Sequence, residues 1–500
     1  MENTQNVSEK KVSKIDKFFG ITKMGSTVRT EIVAGLVTFM TMIYIVLVNP
    51  TMFADLGYKF VDGVPVKTEL NDLLYNGVFI ATALSAAIGT VLIGLLAKLP
   101  LAQATGMGLN AYFVYTVCGF GMSNGLSYAN ALVFILIDGI VFLLLTVTGL
   151  RRQIFNAIPD CVKTAIPAGI GLFIAFIGLQ NAGIVVKNDS TCVSMISLNL
   201  LGDATYSSVF PIMVTFAGLI AIAVLSHKNV KGAILWGILG SAVLYYALAA
   251  LGLAWGDEAC KSIFAGITFD NPFTAFKDFG EISFGKVFTE GFDFSGYLSN
   301  HSSAQLILTL VTGAFAFCLV DMFDTIGTLY GACARGNLLD EKGNVPNMDR
   351  AMLADAIATC TGAVLGTSTV TTFVESSSGI AEGGKTGLTS IVVAIGFIVV
   401  MFLSPIAKLV PTYATAPALI YVGVLMMNCV TKVDWLSPAK ALPAFITIAM
   451  MAFTYNISFG IGLGLISYTL IQIFTGEFKK SDITTAIIGL VFGAMFFLTH

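Results

Sequence analysis

Charged side chains are scarce in this sequence. Asp, Glu, Lys and Arg make up 11% of its 500 residues, where a soluble domain carries about 25%. With 56% hydrophobic residues and a mean hydropathy of +0.84, that scarcity excludes an ordinary soluble domain and points to the lipid bilayer. The charges nearly cancel, to a net −3, and no basic tract is present, so no nucleic-acid partner is expected. Histidine is rarer still, with residues at 227, 301 and 500 only. Neither these nor the cysteines have a metal-ligand spacing, and no metal or cofactor is expected. Most of the eight cysteines lie in apolar runs, where Cys118, Cys318, Cys360 and Cys429 read as small packing residues. Cys192 and Cys260 fall in polar loops, and two separate thiols is the reading preferred over a disulfide. No cleavable signal peptide is expected either, since residues 1–30 are polar and rich in lysine.

What the chain has in abundance is apolar runs of spanning length, about 17–25 residues. They fall near 31–48, 73–97, 107–122, 127–149, 164–180, 209–226, 231–255, 304–333, 350–366, 388–410, 416–431, 440–455 and 457–475. A shorter, half-apolar stretch at 368–387 belongs with them. The sum is about fourteen helices, and a last run at 483–499 either spans or lies along the surface. The 50 glycines suit helices that pack closely in a membrane.

Lys and Arg in short loops set the orientation. The tail carries Lys10, Lys11, Lys14, Lys17, Lys23 and Arg29. The pairs Arg151 and Arg152, Lys228 and Lys231, Arg335 and Arg350, Lys432 and Lys440, and Lys479 and Lys480 then fall on the same side. That side is read as cytoplasmic, in a cell membrane. The longer loops 50–72, 181–208 and 256–303 fall outside. The divisions are a cytoplasmic tail at 1–30, a first repeat at 31–255, an external loop at 256–303, a second repeat at 304–475 and a C-terminal segment at 476–500.

The halves resemble each other. Residues 30–53 match 306–330 in pattern, and 81–94 match 354–366. An odd number of spans separates the equivalents, so the copies are inverted. In each copy a short, broken segment follows: LAQATGMGLNAYF at 101–113 and TTFVESSSGIAEGG at 371–384. Each reads as a short strand leading into a half helix. Unwound backbone at membrane depth is tolerated only where it is buried in protein or lines a cavity. Such paired interruptions mark a transporter site. The half-helix starts offer free N–H groups, and Ser376, Ser377 and Ser378 are candidate caps for the second.

Three carboxylates complete the pattern. Asp321 and Asp324 stand three residues apart in VDMFDTIGTLYG, on one helix face, and Glu375 stands at the second break. A charge at the bilayer centre costs at least about 2.5 kcal/mol, so these groups are expected to face a wet or substrate-filled cavity. Asn110 adds an amide with both donors and an acceptor, read as a site residue over interhelical glue. Thr105 and Ser376 are further candidate contacts. Phe373 or Phe113 is a candidate stacking face for a flat heterocycle. Glu382 and Lys385 read as solvated. Tyr44, Asn49 and Pro50 read only as a bend in the first helix.

ATGMGLNAYF, VDMFDTIGTLYG and TTFVESSSGIAEGGKTGLTS, with TFMTMIYIVLVNP near the start, resemble the azaguanine-type hypoxanthine/guanine/adenine permeases. These are nucleobase transporters related to uracil and xanthine permeases. The resemblance runs from about residue 28 to 476. It implies an all-α polytopic fold of fourteen spans in two inverted sevens, divided into core and gate domains. It further implies proton-coupled purine uptake, with the essential Asn at Asn110, the acidic pair at Asp321 and Asp324, and the Glu at Glu375. Phe373 stands where related permeases often have Tyr, and Lys385 where Arg is common.

The expected activity is therefore symport of a purine base with a proton carried by Asp321, Asp324 or Glu375. No enzyme chemistry is expected, and a homodimer is one assembly open to such a chain. Two other readings rank lower. In an anion transporter of the sulfate or bicarbonate kind, the carboxylates would repel the substrate. A membrane enzyme would need a third ligand or a nearby histidine.

Overall fold

The computed structural model describes residues 14–61, 64–149, 158–188, 190–200, 204–265, 271–340, 344–480 and 482–498. Of the basic residues used for orientation, Lys10, Lys11, Arg151 and Arg152 lie outside the described residues. Among the described residues, ten helices are long and apolar enough to cross a membrane: Val28–Gly57, Glu69–Ala97, Tyr128–Thr148, Asp160–Asn181, Tyr206–His227, Ala233–Ala254, Ser303–Ala334, Gly387–Ala407, Thr412–Lys432 and Ile457–Thr475. Pro438–Phe453 is apolar but shorter. Met348–Leu365 carries Asp349, Arg350 and Asp355 and is correspondingly less apolar.

Local chemistry sets several boundaries. Ser302 and Gln305 form a reciprocal capping box that starts the 33-residue helix Ser303–Arg335. At about 50 Å that helix is longer than a bilayer core of about 30 Å. The first span tightens at Ile43 and Tyr44, between Val28–Met42 and Ile45–Ala54, where both residues keep right-handed helical angles and Val46 N bonds Ile43 O. Pro50 lies inside the second piece, lacking an N–H and crowding the carbonyl one turn back.

The helices pack as two sets of neighbours. Asp160–Asn181 lies against Thr412–Met426 and Pro438–Phe453, Pro438–Phe453 against Ile457–Thr475, and Tyr206–His227 against Ala233–Ala254. Glu69–Leu92 lies against Ile45–Ala54, Gly387–Val400 and Met348–Leu365, which in turn meets Tyr128–Thr148. The first set shows why small residues are needed. A Cβ on Gly171 would stand 2.6 Å from the carbonyl oxygen of Gly423 on the helix it crosses.

Outside the spans the loops carry local secondary structure. Tyr58–Val61 pairs with Val64–Lys67, and Val185–Asn188 with Cys192–Met195, as antiparallel hairpins. The stretch after Ala254 includes the helices Glu258–Ala265 and Pro272–Asp278. It docks on the membrane helices, with Asn76 Nδ2 donating to Asp278 Oδ2 at 2.7 Å. Cys192 is exposed and Cys260 buried, each a free thiol. The last helix, Asp482–Leu498, packs along Ile457–Thr475, with Phe492 fully buried.

Candidate functional site

The two broken segments meet each other. Gln103–Thr105 and Val370–Thr372 form an antiparallel pair, with Gln103 opposite Thr372 and Thr105 opposite Val370. The ladder continues past both ends, since Gly106 N donates to Thr369 O at 3.1 Å and Phe373 N to Ala102 O at 3.0 Å. Side chains satisfy the remaining unwound backbone. Ser390 Oγ donates to the carbonyls of Leu99 and Leu101, and Thr90 Oγ1 both accepts from Gln103 N and donates to Gln103 O. Strands this short are tolerated at membrane depth where such groups find partners in protein, as these do.

A half helix leaves each strand. The first, Met107–Ala111, continues as a wider turn over Tyr112–Cys118, a form often found at functional sites. The second is Ser376–Ala381. The predicted caps need correction. Ser376, Ser377 and Ser378 are the opening residues of that helix, and Glu375 holds the cap position with no side-chain cap bond. Ser376 Oγ instead accepts from Ala102 N at 3.0 Å, which fastens one broken segment to the other.

A carboxylate stands at each half-helix start. Asp324 Oδ2 lies 3.8 Å from where a Cβ would sit on Gly106, the residue before the first half helix. Glu375 stands at the start of the second. The two acids lie close enough to interact electrostatically, and Tyr44 interacts with both. Both are partly exposed, unlike fully buried Asp321. Asp321 turns toward Met348–Leu365, where its Oδ2 accepts from Thr359 Oγ1 at 3.4 Å.

Asn110 is fully buried, and its Oδ1 has no hydrogen-bond partner among the described residues. Its Nδ2 makes one long bond, 3.4 Å, to Thr105 Oγ1. An unpartnered buried amide oxygen costs about 1–3 kcal/mol, which a ligand N–H would offset. Phe373 is buried beside the strand pair. Phe113 is fully buried against Phe53, ring centroids 4.8 Å apart, so it is core packing and presents no stacking face.

Three residues outside the sequence-based set belong to the neighbourhood. Tyr44 donates its hydroxyl to Glu375 Oε1 at 2.8 Å. Asp355 is fully buried and accepts from Gln103 Nε2 at 2.9 Å and Thr325 Oγ1 at 2.8 Å. Glu31, also fully buried, accepts from the backbone N–H groups of Lys385 and Thr386, so its carboxylate caps the helix that follows. A buried acid in an apolar run was the available signal for Asp355. A cleft of about 570 Å³, lined by Tyr112, Tyr455, Ser458 and His301 among others, lies beyond the first half helix. Hydrogen-bonded Tyr112 and Ser458 stand in its wall.

Comparison with known proteins adds four findings. The Permease family profile matches residues 29–463. The chain is 35% identical to adenine permease AdeQ of Escherichia coli, over 98% of each chain. It is 36% identical to guanine/hypoxanthine permease PbuO of Bacillus subtilis, over 96% of this chain and all of that one. Among solved structures it is similar to the transmembrane domain of the cyanobacterial bicarbonate transporter BicA. The TM-score is 0.56 at 14% identity, covering 88% of this chain and 97% of that one.

Proposed function

Because the chain belongs to the Permease family of nucleobase transporters, we propose that it imports purine nucleobases, hypoxanthine, guanine or adenine, by proton symport. It is a permease and not an enzyme. One observation carries the site: Asp324 and Glu375 stand at the starts of two half helices whose strands pair. A flat base between them would present ring N–H groups to the carboxylates and one edge to the Asn110 amide. The proton would ride on Asp324 or Glu375, with Asp321 held against Thr359 as part of the support. Thr105 would steady Asn110, Ser376 would hold the segments together, and Phe373 would wall the site.

The remaining expectations fit around that site. The ten long helices with Met348–Leu365, Pro438–Phe453 and the two broken segments make fourteen, in two inverted sevens. The two sets of packed helices serve as core and gate, rocking about the base in alternating access. The N-terminus is cytoplasmic, in a cell membrane. Inward movement of one charge across 100 mV is worth about 2.3 kcal/mol, enough to concentrate a neutral base. The likeness to the bicarbonate transporter, at 14% identity, speaks for the fold alone, and two carboxylates facing the substrate disfavour an anion.

The test is uptake of tritiated hypoxanthine, guanine and adenine in cells lacking their own purine transport, with and without a protonophore. Uptake of at least one base that collapses with the protonophore supports the reading. Uptake of none, or uptake indifferent to the proton gradient, overturns it.

A further inference from the structure

We infer that Tyr44 is the positioning residue for Glu375: by holding Oε1, it fixes Oε2 as the oxygen the base meets. The inference rests on Glu375 binding the base, as proposed above, and adds a specificity-setting residue to that site.

The contact is direct and enclosed. Tyr44 is 1% exposed, and its hydroxyl lies 2.8 Å from Glu375 Oε1. A tyrosine buried in an apolar helix needs a partner for its hydroxyl, and here the partner is the Glu375 carboxylate. Tyr44 occupies the junction between Val28–Met42 and Ile45–Ala54, where the backbone stays right-handed helical but the turn tightens, with Val46 N bonded to Ile43 O and Leu47 N to Tyr44 O. The opposite side is held as firmly. Ser376–Ala381 lies directly on Val28–Met42, so closely that a Cβ on Gly379 would collide with Thr38 Oγ1 and the Ala34 carbonyl. Glycine at 379 lets the second half helix touch the first span through backbone, so the tyrosine and the glutamate stand on two elements in direct contact.

The chemical consequence follows from the carboxylate's two oxygens. Apart from a backbone hydrogen bond at its own residue, Tyr44 is the side chain that holds the Glu375 carboxylate, and without it the group has more freedom about its side-chain torsions. Ordering it during binding would weaken affinity. With Oε1 occupied, the carboxylate plane is set in advance. The phenol also lies within electrostatic reach of Asp324. A tyrosine hydroxyl both donates and accepts, so the contact persists whether Glu375 carries the proton or not.

The experiment compares wild type, Y44F and E375Q as full chains, with tritiated hypoxanthine, guanine and adenine as probes, in equilibrium binding and in initial-rate uptake. Y44F removes one oxygen and leaves the ring packing. The expected result is a Kd and KM for the transported base raised about tenfold, with a much smaller change in Vmax and an unaltered amount of protein. A purely structural tyrosine would instead lower the amount of protein and leave KM in place. Y44F with a Kd within about twofold of wild type overturns the inference, as does a loss confined to Vmax. Wild type binding none of the three bases, or E375Q binding them as wild type does, overturns the reading of Glu375 itself and is told apart by those arms.

Discussion

Gln103 and Asp355, both fully buried, are joined by a 2.9 Å hydrogen bond from the amide to the carboxylate. The same carboxylate accepts from Thr325 at 2.8 Å, and Thr325 Oγ1 lies 2.7 Å from Thr371 Oγ1. One acid thus ties the first broken segment, the helix bearing Asp324 and the second broken segment together, behind the face that carries Asp324 and Glu375. Its truncation removes the short bonds of two buried donors, leaving Gln103 Nε2 a long contact of 3.4 Å to Thr372 Oγ1 and Thr325 Oγ1 the neighbouring Thr371 hydroxyl. Asp355→Ala is expected to destabilise the protein by about 3 kcal/mol, seen as a lower Tm in detergent. Asp355→Asn keeps an acceptor and should cost less. An Asp355→Ala protein with the wild-type Tm would contradict this supporting role.

The acidic pair on the long helix should separate experimentally. Asp324 is partly exposed beside the first half helix, whereas Asp321 is sealed against Thr359. Asp324→Asn is therefore expected to abolish concentrative uptake while protein amount stays near wild type. Asp321→Asn should first reduce Tm and the amount of protein in the membrane. Uptake normalised to immunoblot signal checks this, and the reverse pattern would exchange the two roles.

Much of this arrangement was legible in the sequence, for particular reasons. Extended, threonine-bearing LAQAT and TTFVE, each followed by Gly or Ser, marked strands that break a helix, and the structure has strands at Gln103–Thr105 and Val370–Thr372. Their pairing was not legible, because side-chain periodicity carries no information about partners so far apart in the chain. Tyr44 was missed for a related reason. A tyrosine in an apolar helix reads as packing until the close approach of the second half helix at Gly379 brings Glu375 to it. The hairpin of Tyr58–Val61 and Val64–Lys67 had a local signal that was passed over, the Asp-Gly dipeptide between two strand-forming stretches.

The lone exposed thiol among the free cysteines tests the orientation. Cys192 is exposed in the hairpin of Val185–Asn188 and Cys192–Met195, and Cys260 is buried. A membrane-impermeant maleimide added to intact cells is expected to label the wild type, and Cys192→Ser should abolish that labelling. Labelling only after the membrane is opened would place this hairpin inside and invert the topology. Electrophoresis without reductant should show no Cys192–Cys260 crosslink.

The ion pair between Lys231 and Glu382 joins the two sets of packed helices, since Ser376–Ala381 packs on Val28–Met42, which lies against Gly387–Val400 of the second set. Lys231 precedes Ala233–Ala254 in one set, while Glu382 closes Ser376–Ala381, the half helix that begins at Glu375. Their side chains are 44% and 35% exposed, so the pair is worth at most about 1 kcal/mol to stability. A bond of that size is too weak to hold the fold, but it can bias a conformational equilibrium about fivefold. Lys231→Gln or Glu382→Gln is accordingly expected to leave Tm unchanged and alter Vmax for base uptake by up to about fivefold. The effect should shrink in high salt, which screens exposed charges. The charge-swapped double variant, Lys231→Glu with Glu382→Lys, should return most of the wild-type rate, because attraction between the two sets is restored with its ends exchanged. Single variants that transport at the wild-type rate at low ionic strength would show that this contact plays no part in moving one set past the other.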